Sequence, residues 1–290
     1  NNNMQQNKIG VTGATGQLGR KVMAHLKKAI PADQIVALVR DPEKAKDFGV
    51  EIRALDYTNP EQVAGALKGL SKVLLISSSE IGKRFAQHKN VIDGAKKAGV
   101  PFVAYTSILR ADVSALALAP EHKLTEEYLK ASGLTYALLR NGWYIENYTS
   151  SLGNTLKAGA VYGSAGDGKI SAAARSDYAK AAVKVLTAEG HDNMTYELGG
   201  YPFTLTEYAA EISRLSGKDV KYINLPAGEY AKLLEEQAGF PAPMAQMFAA
   251  IDLDIAKGEL ETDAGILVKL ADGSLSTLED GIKESLNTIQ

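Results

Sequence analysis

No cysteine occurs in the 290 residues, which excludes disulfides, a thiolate nucleophile and a zinc–thiolate site. Any redox chemistry must therefore come from a bound cofactor. An excess of charge of one sign is also missing. Lys and Arg number 32 against 34 Asp and Glu, for a net charge of -2. The basic residues are scattered rather than blocked, so the sequence carries no electrostatic footprint for a phosphate backbone and no nucleic acid is expected as a partner. Long hydrophobic runs are lacking as well. A stretch such as residues 73–76 falls far short of the ~20 apolar residues of a membrane span. The N-terminal NNNMQQNK has no apolar h-region, so the expectation is a cytoplasmic protein with no membrane insertion.

What is present is an ordinary globular balance, 45% hydrophobic and 23% charged, in a chain long enough for one large α/β domain or a domain with a smaller lobe. Short β-branched runs recur at 9–12, 34–39, 50–55, 72–77, 101–107 and 134–140. Between them lie helix candidates at 17–29, 60–69, 84–98 and 121–132. This alternation predicts βαβ units, a parallel sheet covered on both faces, and ligands at the carboxyl ends of the strands. After about Tyr148 the rhythm breaks into a Gly-rich stretch at 158–169, a helix at 176–188, a strand at 195–200 and a helix capped by Thr204 or Thr206 and stopped by Gly217. A strand at 221–225 and further helices, interrupted by the PAP at 241–243, complete the chain. The expected fold class is α/β: a doubly wound, Rossmann-type parallel sheet over 8–148, and a smaller, mostly helical substrate-binding lobe over 149–290. Later segments are free to add strands and helices to the first unit.

The stretch KIGVTGATGQLG, residues 8–19, puts three glycines at a strand-to-helix turn. Gly13 would permit the bend, Gly16 would let backbone approach a pyrophosphate, and Gly19 would let the helix lie close on the strand. The helix N-terminus would offer free N–H groups to the phosphates. The spacing is Gly-x-x-Gly-x-x-Gly rather than Gly-x-Gly-x-x-Gly, so the motif alone is weak. Where the second strand ends stands Arg40, suited to a 2′-phosphate and hence to NADPH, although it also reads as the start of the turn RDP; Asp41 beside it leaves room for NADH. Asp56 reads equally as an acceptor for an adenine amino group and as a cap of the turn before Asn59-Pro60. Ser77, Ser78 and Ser79 end the fourth strand, where they could meet the nicotinamide half or be ordinary loop polarity. None of the 13 tyrosines is followed by Lys four residues later, which disfavours the Tyr–Lys alcohol–ketone chemistry of ordinary short-chain dehydrogenases.

Together GVTGATGQLG, ALVRDPEKA, LLISSSE, HKLTEEYLKASGLTYALLRNGWYIENY and AGDGKISAAARSDYA resemble the NmrA-like atypical short-chain dehydrogenases. More narrowly, they resemble the bacterial NAD(P)H:quinone oxidoreductase 2 type, with the triphenylmethane reductases as relatives. The likeness runs over nearly the whole chain. It implies an enzyme that binds NADPH, without flavin or metal, and passes hydride to a small planar quinone. Dye or other electrophile reduction, and a non-enzymatic NADP(H)-binding redox sensor, are the alternatives, and a homo-oligomer is compatible with it. It further implies that Gly13, Thr15, Gly16, Gln17, Leu18 and Gly19 hold the pyrophosphate, that Arg40 takes the 2′-phosphate, and that Ser77, Ser78, Ser79, Asn141, Gly142 and Trp143 border the nicotinamide.

Within the wider family a Lys precedes a Glu by four on the helix after the fifth strand. Here His122 holds that place before Glu126, as in the quinone and dye reductases. Lys123 lies about 100° around the helix and ranks below His122 as a catalytic candidate. His122 could supply a proton as the side chain nearest neutral pKa, or could only bond locally. Trp143 and Tyr144 could stack on a flat quinone, or GWYIENY could simply pack the two lobes. Arg175 is expected to border the cleft, and Asp177 to cap or brace its helix.

Overall fold

The computed structural model describes residues 7–289, and the NNNMQQ stretch in which no leader was expected lies outside the described residues. The first half lays down β1 (Lys8–Thr12), α1 (Gln17–Ala29), β2 (Ile35–Val39), β3 (Glu51–Ala54), α2 (Pro60–Ala66) and β4 (Leu70–Leu75). Next come α3 (Arg84–Ala98), β5 (Phe102–Ile108), α4 (Ala119–Ala131) and β6 (Thr135–Asn141). The second half adds α5 (Glu146–Thr149), α6 (Leu152–Ala158), β7 (Ala160–Gly163), α7 (Arg175–Thr187), β8 (Met194–Leu198) and α8 (Leu205–Ser216). It ends with β9 (Lys221–Asn224), α9 (Ala227–Ala238), α10 (Ala242–Ala256), α11 (Gly265–Leu270) and α12 (Leu278–Ile289).

Seven strands pair in the order β3-β2-β1-β4-β5-β6-β8, all parallel. This is the expected doubly wound α/β sheet. The inner strands are largely apolar because both faces are buried, as in IVALV of β2, whereas the edge strands β3 and β8 expose Glu51, Ala54, Met194 and Thr195. Alternate side chains feed two separate cores: Ile35, Ala37 and Val39 of β2 face one, and Val36 and Leu38 face the other. The first core is closed by Val22 and Leu26 of α1, Val183 and Leu186 of α7 and Leu267 of α11; the second by Val63 of α2, Val91 and Ile92 of α3 and Leu129 of α4. Strand order reverses between β1 and β4, so the loops after these strands splay apart and leave a crevice at their carboxyl ends.

Three segments beyond Tyr148 return to this sheet: β8 pairs with β6, α7 packs beside α1, and α11 packs against α7 and β8. The rest builds a second lobe around a two-stranded parallel sheet, β7 with β9, and α8, α10 and α12. Of the two candidate caps, Thr204 begins α8 in a capping box with Glu207, and Gly217 ends it at φ 73°. Strand β7 arises inside the Gly-rich stretch, where no strand was expected; its four residues gain their pairing only from β9, some sixty positions later.

Candidate active site

The turn after β1 follows from two glycines. Gly13 has φ 58°, a left-handed conformation that a side chain resists, and its carbonyl accepts the Gly16 N–H at 3.0 Å. A Cβ on Gly19 would sit 2.0 Å from that carbonyl oxygen and 2.8 Å from the Ala14 Cα, so helix α1 approaches the strand end at a distance only glycine allows. Gly16 is the N-cap and has no side chain to satisfy the first helical N–H groups, which leaves them for a ligand.

These residues open onto a crevice of about 680 Å³ that is also lined by Thr15, Gln17, Leu18, Arg40 and Ser77, Ser78 and Ser79. Arg40 is 63% exposed and its Nη2 lies 3.4 Å from Oε1 of Glu80, a loose surface pair that a phosphate could displace. Lys44 lines the same end. Asp56 does not line the crevice. Its Oδ1 accepts from the Thr58 N–H at 2.9 Å and the Thr58 hydroxyl at 2.7 Å, so the carboxylate caps the turn, and these bonds hold its pKa below the usual value. At the inner end Arg84 donates through Nε to the Ser78 carbonyl at 2.6 Å, while its Nη1 is buried without a partner. An orphaned guanidinium N–H at this inner end, near His88 and His122, suits a polar group of a bound ligand.

The crevice continues into a pocket of about 190 Å³ lined by Ser107, His122, Asn141, Gly142, Trp143 and Asn147, and the two share Ser77, Tyr144 and Arg175 as walls. The structure thus gathers all the expected residues except Asp56 and Lys123; Lys123 is exposed on the outer face of α4. Arg175 donates its backbone N–H to both oxygens of Glu146 at 3.1 Å, and its guanidinium lies 4.6 Å over the Tyr144 ring. Burial raises the Tyr144 phenol pKa, so Tyr144 stays a neutral wall and a seat for Arg175 rather than a ready proton source. Asp177 does not cap its helix, whose N-cap is Ala174; it accepts the Ser276 N–H at 2.9 Å and so ties α7 to the segment before α12. Asn141 is buried, and its Oδ1 has no partner in the protein.

His122 is 5% exposed, and burial is the main reason its imidazolium pKa drops to about 3. Its closeness to neutral pKa as a free side chain therefore does not survive folding, and the ring is neutral at physiological pH. Its Nδ1 lies 2.6 Å from the Tyr105 hydroxyl. Behind Tyr105 stands His88, whose Nε2 accepts the Ser78 N–H at 2.9 Å and must therefore carry its hydrogen on Nδ1. That Nδ1 is 3.0 Å from Thr125 Oγ1 and 3.4 Å from the Tyr105 hydroxyl, and the Thr125 hydroxyl donates to the Glu121 carbonyl at 2.9 Å. Tyr105 donating to His122 Nδ1 would complete this row and leave an Nε2–H for the pocket.

Below this row, Glu126 takes the Ser107 hydroxyl at 2.5 Å and two Arg140 nitrogens at 2.6 and 3.0 Å. Sequence reading missed Tyr105, Ser107, His88 and Arg140. One signal was there: Tyr105 and Ser107, two apart on a strand, match the spacing of His122 and Glu126, four apart on a helix. Among the described residues no cluster of His, Cys, Asp or Glu could hold a metal, and no helix is long and apolar enough to cross a membrane.

Residues 13–189 match a family described as NAD(P)H-binding. The chain is 48% identical over 283 residues to quinone oxidoreductase 2 of Escherichia coli (strain K12), covering 96% of this chain and 99% of that protein. A crystal structure of NADPH-dependent quinone oxidoreductase from Escherichia coli complexed with NADPH superposes with TM-score 0.93, with 96% of this chain and 100% of that one covered. The triphenylmethane reductase of Citrobacter sp. is 40% identical, with TM-score 0.92 and coverage of 97% and 99%.

Proposed function

Since this chain belongs to the NAD(P)H-binding, NmrA-like family, we propose that it is an NADPH-dependent quinone oxidoreductase that transfers hydride directly, without flavin. The observation that carries this reading is the small pocket holding His122, Asn141 and Trp143, which opens straight off the dinucleotide crevice through Ser77, Tyr144 and Arg175.

Bound NADPH supplies the hydride. The turn at Gly13–Gly19 holds the pyrophosphate, and Arg40 with Lys44 receives the 2′-phosphate. Trp143 and Tyr144 wall a flat acceptor and keep water from its faces. Reduction of a quinone by hydride leaves a hydroquinone monoanion. The neutral Nε2–H of His122 donates a hydrogen bond to the oxygen where that charge develops. With an imidazolium pKa of about 3, His122 holds no spare proton at neutral pH, so the net proton comes from water after transfer. The first test is NADPH absorbance over time with flavin-free protein and a simple naphthoquinone. Saturable, enzyme-dependent loss is the expected result, and NADPH binding without oxidation by any quinone or dye would replace this reading with that of a sensor.

Two variants test the assignments. Arg40→Ala should weaken NADPH by about 10- to 100-fold, the worth of ~1.5–3 kcal/mol for a hydrogen bond to a charged group, and leave NADH nearly unchanged. Equal losses for both cofactors in a fluorescence titration would remove Arg40 from the 2′-phosphate. For the donor, His122→Ala should lower kcat by about 10- to 100-fold, on the same scale for a hydrogen bond to a charged oxygen, with little change in the Kd for NADPH. Tyr105→Phe should produce a smaller fall in kcat, because the ring stays and only its orientation is freed. Because the folded pKa of His122 is far below 6.5, kcat between pH 5 and 8 should show no inflection that disappears in His122→Ala. An inflection near 6.5 lost in that variant would mean that His122 acts as a titrating acid.

A further inference from the structure

The second lobe contains a cavity of about 130 Å³ that the hydride-transfer chemistry does not use, lined by the aromatic residues Tyr148, Tyr208, Tyr230 and Phe248. Trp143 and Asn147 separate it from the inner pocket and face both spaces. Asp252, on α10, lines it too. The residue is 8% exposed, and its Oδ2 accepts the Ser164 N–H at 2.8 Å. No Lys or Arg pairs with it among the described residues, and burial pushes its pKa up to about 6, so the charge it carries at neutral pH has no counter-ion. The Tyr208 hydroxyl, on the same wall, is buried and has no hydrogen-bond partner.

A buried carboxylate without a cation carries a desolvation penalty that no partner offsets. Bracing Ser164 does not require that charge, because an amide oxygen would accept the same N–H. Aromatic faces around a negative charge attract cations, and organic ammonium groups are bound in cages of this composition. The free Tyr208 oxygen can accept an N–H from a protonated amine. From these features we infer that the cavity of the second lobe is a binding site for an organic ammonium group, with Asp252 as its counter-ion and the surrounding rings as its walls. The ammonium group belongs either to a separate small cation or to a cationic tail on the electron acceptor; only the second source rests on the quinone-reductase reading.

Trp143 is the sole tryptophan, so intrinsic fluorescence reports on this wall directly. The full-length protein is titrated with benzyltrimethylammonium and, separately, with neopentylbenzene, its uncharged isostere, and binding is repeated by calorimetry. The expected result is saturable binding of the cation, at least tenfold weaker for the isostere and at least tenfold weaker in Asp252→Asn. That variant keeps the acceptor for Ser164 and should reduce a plain naphthoquinone at the normal rate, which shows that it is folded. In a second arm, a naphthoquinone with a trimethylammonium tail is compared with one bearing an uncharged tail of the same shape. A tenfold lower KM for the charged compound, lost in Asp252→Asn, makes the acceptor the source. Equal KM values with the free cation still bound make the occupant a separate molecule. Absence of turnover with either quinone defeats the quinone-reductase reading and leaves the first arm standing. If fluorescence and calorimetry both detect no binding of benzyltrimethylammonium, or if Asp252→Asn binds it as well as the parent, the cavity holds only water and the inference falls.

Discussion

Gly19→Ala should abolish useful NADPH binding, weakening it by about 10³-fold, and should also lower the melting temperature. The new Cβ would lie 2.0 Å from the Gly13 carbonyl oxygen and 2.8 Å from the Ala14 Cα, and neither is the end of a flexible side chain. Relief requires α1 to back away from the strand by more than an ångström. That movement costs ~1–3 kcal/mol of overpacking in the fold and carries the helical N–H groups out of range of the pyrophosphate, where two charged hydrogen bonds are worth ~1.5–3 kcal/mol each. Gly16→Ala is the control. At φ -74° the backbone accepts alanine, and the Cβ would meet only the Gly13 oxygen at 3.3 Å. It should therefore keep nearly the parent melting temperature while still obstructing the phosphates. Calorimetric Kd values and thermal melts on both variants distinguish the roles. A Gly19→Ala protein that binds NADPH within tenfold of the parent would mean that the turn relaxes easily and that the close approach is not what places the phosphates.

The contrast between these glycines shows which parts of the site could be read from the chain. The turn, Arg40 and the Ser77–Ser79 loop lie where a parallel sheet must present them, at strand ends beside the reversal of strand order, so local pattern and topology suffice. His122 could be singled out for its position before Glu126, but its state could not. The drop in its pKa comes from burial, and its ring is held by Tyr105, which precedes it by seventeen residues, with His88 behind that. The same limit explains Asp56. Two readings were open in the sequence, and Thr58, two residues on, takes the carboxylate into a turn. In the second half the returning β8 was visible as a strand but not as a seventh member of the large sheet, because strand pairing is a property of partners rather than of the segment.

Glu126→Ala should be the most destabilising polar substitution near the pocket, at about 3 kcal/mol, equivalent to roughly 6–12 °C in melting temperature. Glu126 and Arg140 are 3% and 8% exposed, and truncating the carboxylate leaves a buried guanidinium without its two best partners. Asp112 at 3.1 Å and Glu197 at 3.4 Å still hold Nη1, which keeps the cost near the lower end of the ~3–5 kcal/mol expected for breaking a buried pair. Glu126→Gln should lose less, because its oxygen can still accept from Arg140. The double variant Glu126→Ala with Arg140→Met should lose less than the sum of the two single changes, since it removes the stranded charge as well. Ser107 also loses its acceptor, and because it lines the pocket beside His122, the KM for the quinone should rise while the Kd for NADPH hardly moves. A melting temperature within 2 °C of the parent, against the roughly 2–4 °C expected per kcal/mol, would mean that water reaches Arg140 when Glu126 is gone and that the pair orders the pocket wall without stabilising the fold.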